Sequence, residues 1–161
     1  TDPRIQLITE RYSEAQMADL LCETWCLVSL HRSEGFGYVL ADAMALGIPV
    51  IATDYSGNTD FCNDQTSFPV DYHLVPVRSA GAHWEEEGAE WADPDIDSAA
   101  ARMMEVYSDY PAAVVRAANG QRLIFGKYST EAFGATIRSR LAEIRASLFG
   151  TGNLIFPDSE N

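Results

Sequence analysis

The alternation of apolar and polar positions is most regular between Leu27 and Asp60. Leu27 to Leu30 is a short apolar run ending at a polar, glycine-containing turn, the pattern of a strand buried on both faces. Phe36, Val39, Leu40, Ala43 and Met44 then fall at the spacing of one apolar stripe, which predicts a helix. Gly47 closes that helix and Pro49 forbids its continuation. Pro49 to Thr53 predicts a second buried strand, and Asp54 to Gly57 a second strand-end turn. Two parallel strands joined by a helix bring both turns to the carboxyl edge of one sheet, where open α/β folds bind ligands.

The flanking pattern extends this unit. Ile5 to Thr9 reads as a strand, and Glu10 to Tyr12 as a loop. Ser13 and Gln16 form a capping box ahead of Met17, Leu20 and Leu21, predicting a helix that ends near Glu23. Phe68 to Val70 and Tyr72 to Val77 are short strand-like runs in an otherwise irregular stretch. Asp95 is an N-cap for a helix from Ile96 to about Ser108, with Ala100, Met103, Met104 and Tyr107 as its expected buried stripe. Pro111 opens a further helix that ends near Gly126. Ser129 caps a last one, in which Phe133, Ile137, Leu141, Ile144 and Leu148 repeat at helical spacing. The expected fold is α/β, a Rossmann-like parallel sheet flanked by helices over residues 1–149, followed by a polar tail at 150–161.

Length and composition narrow the class. The 161 residues, 47% of them apolar, suffice for one domain with its own core. No apolar run approaches the roughly 18 residues of a membrane span, and no signal peptide opens the sequence. Three cysteines argue against a secreted disulfide framework and predict small buried apolar residues, so a cytoplasmic location is the default. A formal charge of −13 works against binding nucleic acid or anionic membranes. The acidic run Glu85, Glu86, Glu87, Glu90, Asp93, Asp95 and Asp97 reads as a solvated loop rather than a metal site, because metal ligands converge from several elements.

The chemistry concentrates at the turn after Leu30. Glu34 lies in the loop, Gly35 and Gly37 flank Phe36, and the helix begins at once. Glycines let the backbone approach a ligand, and first-turn N–H groups have no partner inside the helix, so such an end attracts phosphate. Asp42 stands one turn beyond Tyr38. A carboxylate on each side of an anion site suits a phosphate flanked by two polyols, as in a nucleotide sugar. His31 and Arg32 open the turn and supply positive charge; His31 and Ser33 are secondary candidates for donor contact. Ser56-Gly57-Asn58 begins another helix N-terminus, which either faces the donor or only caps that helix.

Glu34-Gly-Phe-Gly, an acidic residue eight positions after Glu34, and Ala-Met-Ala-Leu-Gly-Ile-Pro-Val-Ile-Ala-Thr together resemble the Glu-x7-Glu signature of retaining GT-B-fold glycosyltransferases (glycosyltransferase group 1). The resemblance runs from about Ile5 to about Phe149 and corresponds to part of that family's C-terminal, donor-binding domain. It implies transfer of a sugar, of the hexosyl type, from a nucleoside-diphosphate donor to a glycan, lipid-linked or other hydroxyl acceptor. No cofactor or obligatory metal is implied. Glu34 would hold the donor sugar's hydroxyls and act as the catalytic-site carboxylate. The amides of Phe36, Gly37, Tyr38 and Val39, with Gly35, would face sugar and diphosphate, and Asp42 the ribose. The family usually has Glu at this last position, and Asp is one methylene shorter.

The family also supplies an Arg and a Lys from a first strand-helix unit, and no such unit precedes Ile5. The resemblance therefore implies a fragment, inactive alone, that lacks its first βαβ unit and an N-terminal acceptor domain. The competing readings are a non-catalytic nucleotide-sugar-binding module, a nucleotide-sugar epimerase, and an NAD-binding Rossmann domain. The last rests on Gly35-x-Gly37 followed by Asp54 at the end of the next strand, but Leu40 stands where the third glycine would be.

Overall fold

The computed structural model describes residues 2–77 and 88–149, and falls into two compact units, residues 1–124 and 125–161. The first unit contains a three-stranded parallel sheet in the order β1 (Leu27–Ser29), β2 (Val50–Thr53), β3 (Phe68–Val70). The helix α1 (Glu14–Cys22) precedes β1, and α2 (Tyr38–Ala45) crosses from β1 to β2. The expected Rossmann-like arrangement is therefore present, with β2 at the centre and every residue of it buried.

Local sequence explains the helix ends. Ser13 caps α1 through its side chain, and Gln16 returns the bond to the Ser13 N–H at 2.9 Å, completing the capping box. At the end of α2, Gly47 (φ 74°) donates to the Met44 carbonyl and Ile48 to that of Ala43. This is the paired closure of a Schellman motif, and it requires the left-handed backbone that glycine adopts without strain. Asp95 caps α3 (Ile96–Ser108) by accepting from the Ser98 N–H at 2.9 Å, as its sequence predicts.

Two layers cover the sheet. Helix α2 lies on one side, contributing Leu40, Ala43 and Met44 to the core. On the other, Ile51, Phe68 and Val70 pack with Ala99 and Val106 of α3 and with Ala113 of α4 (Tyr110–Tyr128). Gly120 of α4 lets that helix approach closely: an added Cβ would lie 2.7 Å from the Met44 methyl carbon and 2.8 Å from the Thr66 carbonyl oxygen. In the second unit, α5 (Thr130–Phe149) leaves Phe133, Leu141 and its other apolar stripe residues exposed.

Several expectations need correction. Ile5 to Thr9 forms no strand: Ile5 and Leu7 are 72% and 83% exposed, and the segment pairs with no strand among the described residues. β1 is buried on neither face throughout, because it is the sheet's edge and Val28 is exposed. In α2 the buried set is Leu40, Ala41, Ala43 and Met44, whereas Val39 is exposed and Phe36 belongs to the preceding turn. The stripe chosen for α3 is also wrong. Ala99 and Val106 face the core, while Met103, Met104 and Tyr107 are exposed. Glu90–Pro94, read as solvated loop, is strand β5, paired antiparallel with β4 (Tyr72–Pro76). The acidic positions 85–87 and the tail at 150–161 lie outside the described residues.

The thiols differ from one another. Cys22 is exposed, against expectation, Cys26 is half-buried and Cys62 is buried. Burial pushes the Cys62 thiol up to about 11 from its ordinary value near 9.0. Below that ordinary value both folded and unfolded chains keep the proton, and the fold has its full stability. Between the two values the unfolded chain loses the proton first, so stability falls as pH rises, by up to about 3 kcal/mol. Urea unfolding of Cys62→Ala from pH 8 to 11 is expected to show a shallower decline than wild type. An identical decline would mean that Cys62 contributes nothing to it.

Candidate functional site

The turns that leave β1 and β2 meet at the carboxyl edge of the sheet, and hydrogen bonds join them. The Glu34 N–H donates to Ser56 Oγ at 2.7 Å, and the Gly57 N–H donates to the Glu34 carbonyl at 3.1 Å. Gly57 fits only because it lacks a side chain: an added Cβ would lie 2.1 Å from the Gly35 carbonyl oxygen. The 3-10 turn Gly57–Asp60 follows, and Ser56 does not cap it. The Ser56 hydroxyl makes no capping bond to this turn and accepts from Glu34.

Beneath this contact lies a second tie. Asn58 is fully buried, its amide Nδ2 donating to the Thr53 carbonyl at 2.9 Å and its Oδ1 lying 3.0 Å from His31 Nε2. With Nδ2 committed to a carbonyl, Oδ1 is an acceptor, so Nε2 of His31 carries the hydrogen. Ser29 Oγ occupies the other ring nitrogen at 3.0 Å. Both nitrogens of His31 are thus engaged inside the chain, joining the end of β1 to the turn beyond β2. The sequence marks Asn58 only as part of a helix start; its tie to His31, 27 residues away, leaves no local signal.

The start of α2 stands over this base. Gly37 is its N-cap, at φ 90° and ψ 55°, a left-handed conformation that side chains resist. No side chain caps the helix, and the first bond it closes is Ala41 N–H to the Gly37 carbonyl. The amides of Tyr38, Val39 and Leu40 therefore have no acceptor within the helix. Phe36 packs between Tyr38 and Phe61 in tilted ring contacts, with centroids 5.2 and 5.1 Å away. Gly35 is exposed, and open space lies where its Cβ would stand. Glu34 is half-buried, while Ser33, Tyr38, Val39 and Asp42 are exposed.

Asp42 also lines a cleft of about 360 Å³ with Glu14, Met17 and Leu21 of α1. Arg32 forms a 2.8 Å ion pair with Asp93 and lies over the Trp91 ring. Among the described residues, no group of three or more His, Cys, Asp or Glu side chains is arranged to hold a metal ion.

The parallel β-α-β unit, whose glycine-bearing turn feeds a helix N-terminus without a side-chain cap, is consistent with a Rossmann-like glycosyltransferase domain. The family model described as glycosyl transferases group 1 matches residues 1–86, which is 86 of 161 residues, and the chain belongs to that family. Its chemistry is accordingly glycosyl transfer between a sugar donor and an acceptor. No curated protein matches the chain. Among the described residues no helix is long and apolar enough to cross a membrane.

The meeting of the two turns has a direct test. Gly57→Ala is expected to lower stability by about 1–3 kcal/mol, since the obstacle it meets is backbone and not a movable side chain. Gly35→Ala, where the added carbon meets nothing, is expected to stay within about 0.5 kcal/mol of wild type. Equal melting temperatures for both variants would contradict the packing of the two turns.

Proposed function

We propose that the edge formed by Glu34 and the start of α2 binds a nucleoside-diphosphate sugar, and that the sugar passes to an acceptor hydroxyl with retention at the anomeric carbon. One observation carries the reading: both backbone polar groups of Glu34 are bonded to the neighbouring turn, while the next helix begins with amides that have no acceptor within that helix and no side-chain cap. The Glu34 carboxylate accepts hydrogen bonds from the donor sugar's hydroxyls and orients the sugar; it does not attack the anomeric carbon. The amides of Tyr38 and Val39, with those of Phe36 and Gly37, receive the diphosphate. They stabilise the negative charge that grows on it as the glycosidic bond breaks, the task of pre-aimed donors at a leaving group. Asp42 accepts from the ribose hydroxyls. The base faces the loop before α1. Ser33 is exposed beside Glu34 and available to the donor, whereas His31 acts from below through Asn58.

The helix amides supply partial charge only, and Arg32 is paired with Asp93. Further cationic groups come, on this reading, from a strand-helix unit that docks on the outer edge of β1. Three features support it. That edge has no partner strand among the described residues, Ile5 to Ile8 is exposed without a ladder, and an apolar groove of about 520 Å³ lined by Trp25, Val28, Met103, Met104, Tyr107 and Tyr110 runs beside it.

In the complete protein, Glu34→Gln is expected to lower turnover with its nucleotide-sugar donor by about 100-fold or more, with melting unchanged, because the lost interaction orients the reacting sugar. Unaltered turnover would remove Glu34 from the site. Calorimetric titration with UDP, GDP, dTDP and NAD checks the ligand class. One nucleoside diphosphate should bind, and more weakly to Gly35→Ala than to wild type; binding of NAD alone would overturn the reading.

A further inference from the structure

We infer that Ser56 is a positioning residue for Glu34, kept in a strained backbone conformation so that its hydroxyl fixes the carboxylate-bearing residue; this rests on the donor-site reading above. Among the described residues, Ser56 is the single non-glycine with positive φ, at 72° with ψ −148°. That region is tolerated by glycine and resisted by every residue with a Cβ. A strained residue persists only where its surroundings over-determine it, and here they do. The Ser56 carbonyl accepts from both the Thr59 N–H at 3.1 Å and the Thr59 hydroxyl at 2.7 Å. The next residue, Gly57, is held on the Glu34 carbonyl.

The strain has a product. It directs Ser56 Oγ at the Glu34 N–H, 2.7 Å away and 22 residues distant in sequence. Together with the Gly57 bond, this contact fixes the peptide planes on both sides of the Glu34 Cα, and so the direction of its Cα–Cβ bond. A glycine at position 56 would sit in the same backbone conformation without strain. It would leave the Glu34 amide without this acceptor. Serine therefore sacrifices local stability for orientation of the residue that meets the donor.

Two variants separate orientation from simple loop support. Both Ser56→Gly and Ser56→Ala remove the hydroxyl, but only the alanine keeps the strain, so Ser56→Gly should melt at the higher temperature of the two. If Ser56 positions Glu34, both variants in the complete protein lose kcat/KM for the donor alike, by about tenfold or more, with KM for the acceptor unchanged. Hydrogen exchange at the Glu34 amide should accelerate in both. If the hydroxyl merely supports the loop, activity follows stability, and Ser56→Gly retains more activity than Ser56→Ala; that result overturns the inference. Glu34→Gln, assayed in parallel, distinguishes the two levels of argument. Loss of turnover in Glu34→Gln beside full activity in Ser56→Gly overturns the role of Ser56 alone. Full turnover in Glu34→Gln overturns the donor-site reading and the role of Ser56 with it.

Discussion

The arrangement at the sheet's carboxyl edge depends on one interlock, the grip of Ser56 and Gly57 on the backbone of Glu34. Parallel pairing brings two strand ends to the same edge but does not fix the loops that leave them. A loop with unpartnered amides samples many conformations, and ordering each residue costs about 1–2 kcal/mol of backbone entropy. Here the turn after β1 is ordered against the turn after β2 through the backbone of Glu34, so the contact does not use the Glu34 carboxylate. The Ser29–His31–Asn58–Thr53 chain adds a second tie below the first, with Asn58 wholly out of solvent. Buried amides of this kind stabilise a structure only when their partners are met, and both ends of Asn58 are met.

Core packing and site geometry are coupled through α2. Its apolar residues Leu40, Ala43 and Met44 fix the helix on the sheet, and Gly120 and Gln121 of α4 hold it from outside, the latter by a 2.8 Å bond to the Ala45 carbonyl. The first turn of α2 thereby inherits the rigidity of the core, although it is itself exposed. The core is uneven, however. It is close-packed around β2 and thins toward β1, where Val28, Met103, Met104 and Tyr107 remain exposed beside one another. An apolar groove beside a strand edge that is unpaired among the described residues is the kind of surface that native proteins cover.

Much of this was legible in the sequence because it was written in local signals. The capping box at Ser13, the N-cap at Asp95, and Gly47 before Pro49 each act within a few residues, and each lies where the pattern placed it. The glycines around Phe36 marked the turn for the same reason. What failed depended on neighbours. Ile5 to Thr9 has the composition of a strand, but a strand exists only against a partner. The stripe on α3 was misassigned because alanines and methionines occur on two of its faces, and burial of Ala99 and Val106 was decided by contact with Ile51, Phe68 and Val70. The β4–β5 hairpin was hidden by acidic residues that hydropathy reads as loop. At the site, Glu34, Gly35 and Gly37 announced themselves by spacing, whereas Asn58 and the strained Ser56 act through partners 27 and 22 residues away.

The charge of the chain opposes an anionic donor only at long range, and distance resolves the difficulty. A net −13 is a sum over the whole surface, and ions in solution screen exposed charges beyond about 8–10 Å. A helix N-terminus acts within hydrogen-bonding range, where its amides carry roughly half an elementary charge in total. Local donors therefore decide whether a phosphate settles there, and the distant carboxylates mainly slow its approach. Half a charge does not balance a diphosphate. Arg32, which opens this turn, is committed to Asp93 through an ion pair about half exposed on each side, an interaction of at most about 1 kcal/mol that a stronger anion can displace. The proposed donor site is thus organised for orientation first, through Glu34 and the α2 amides.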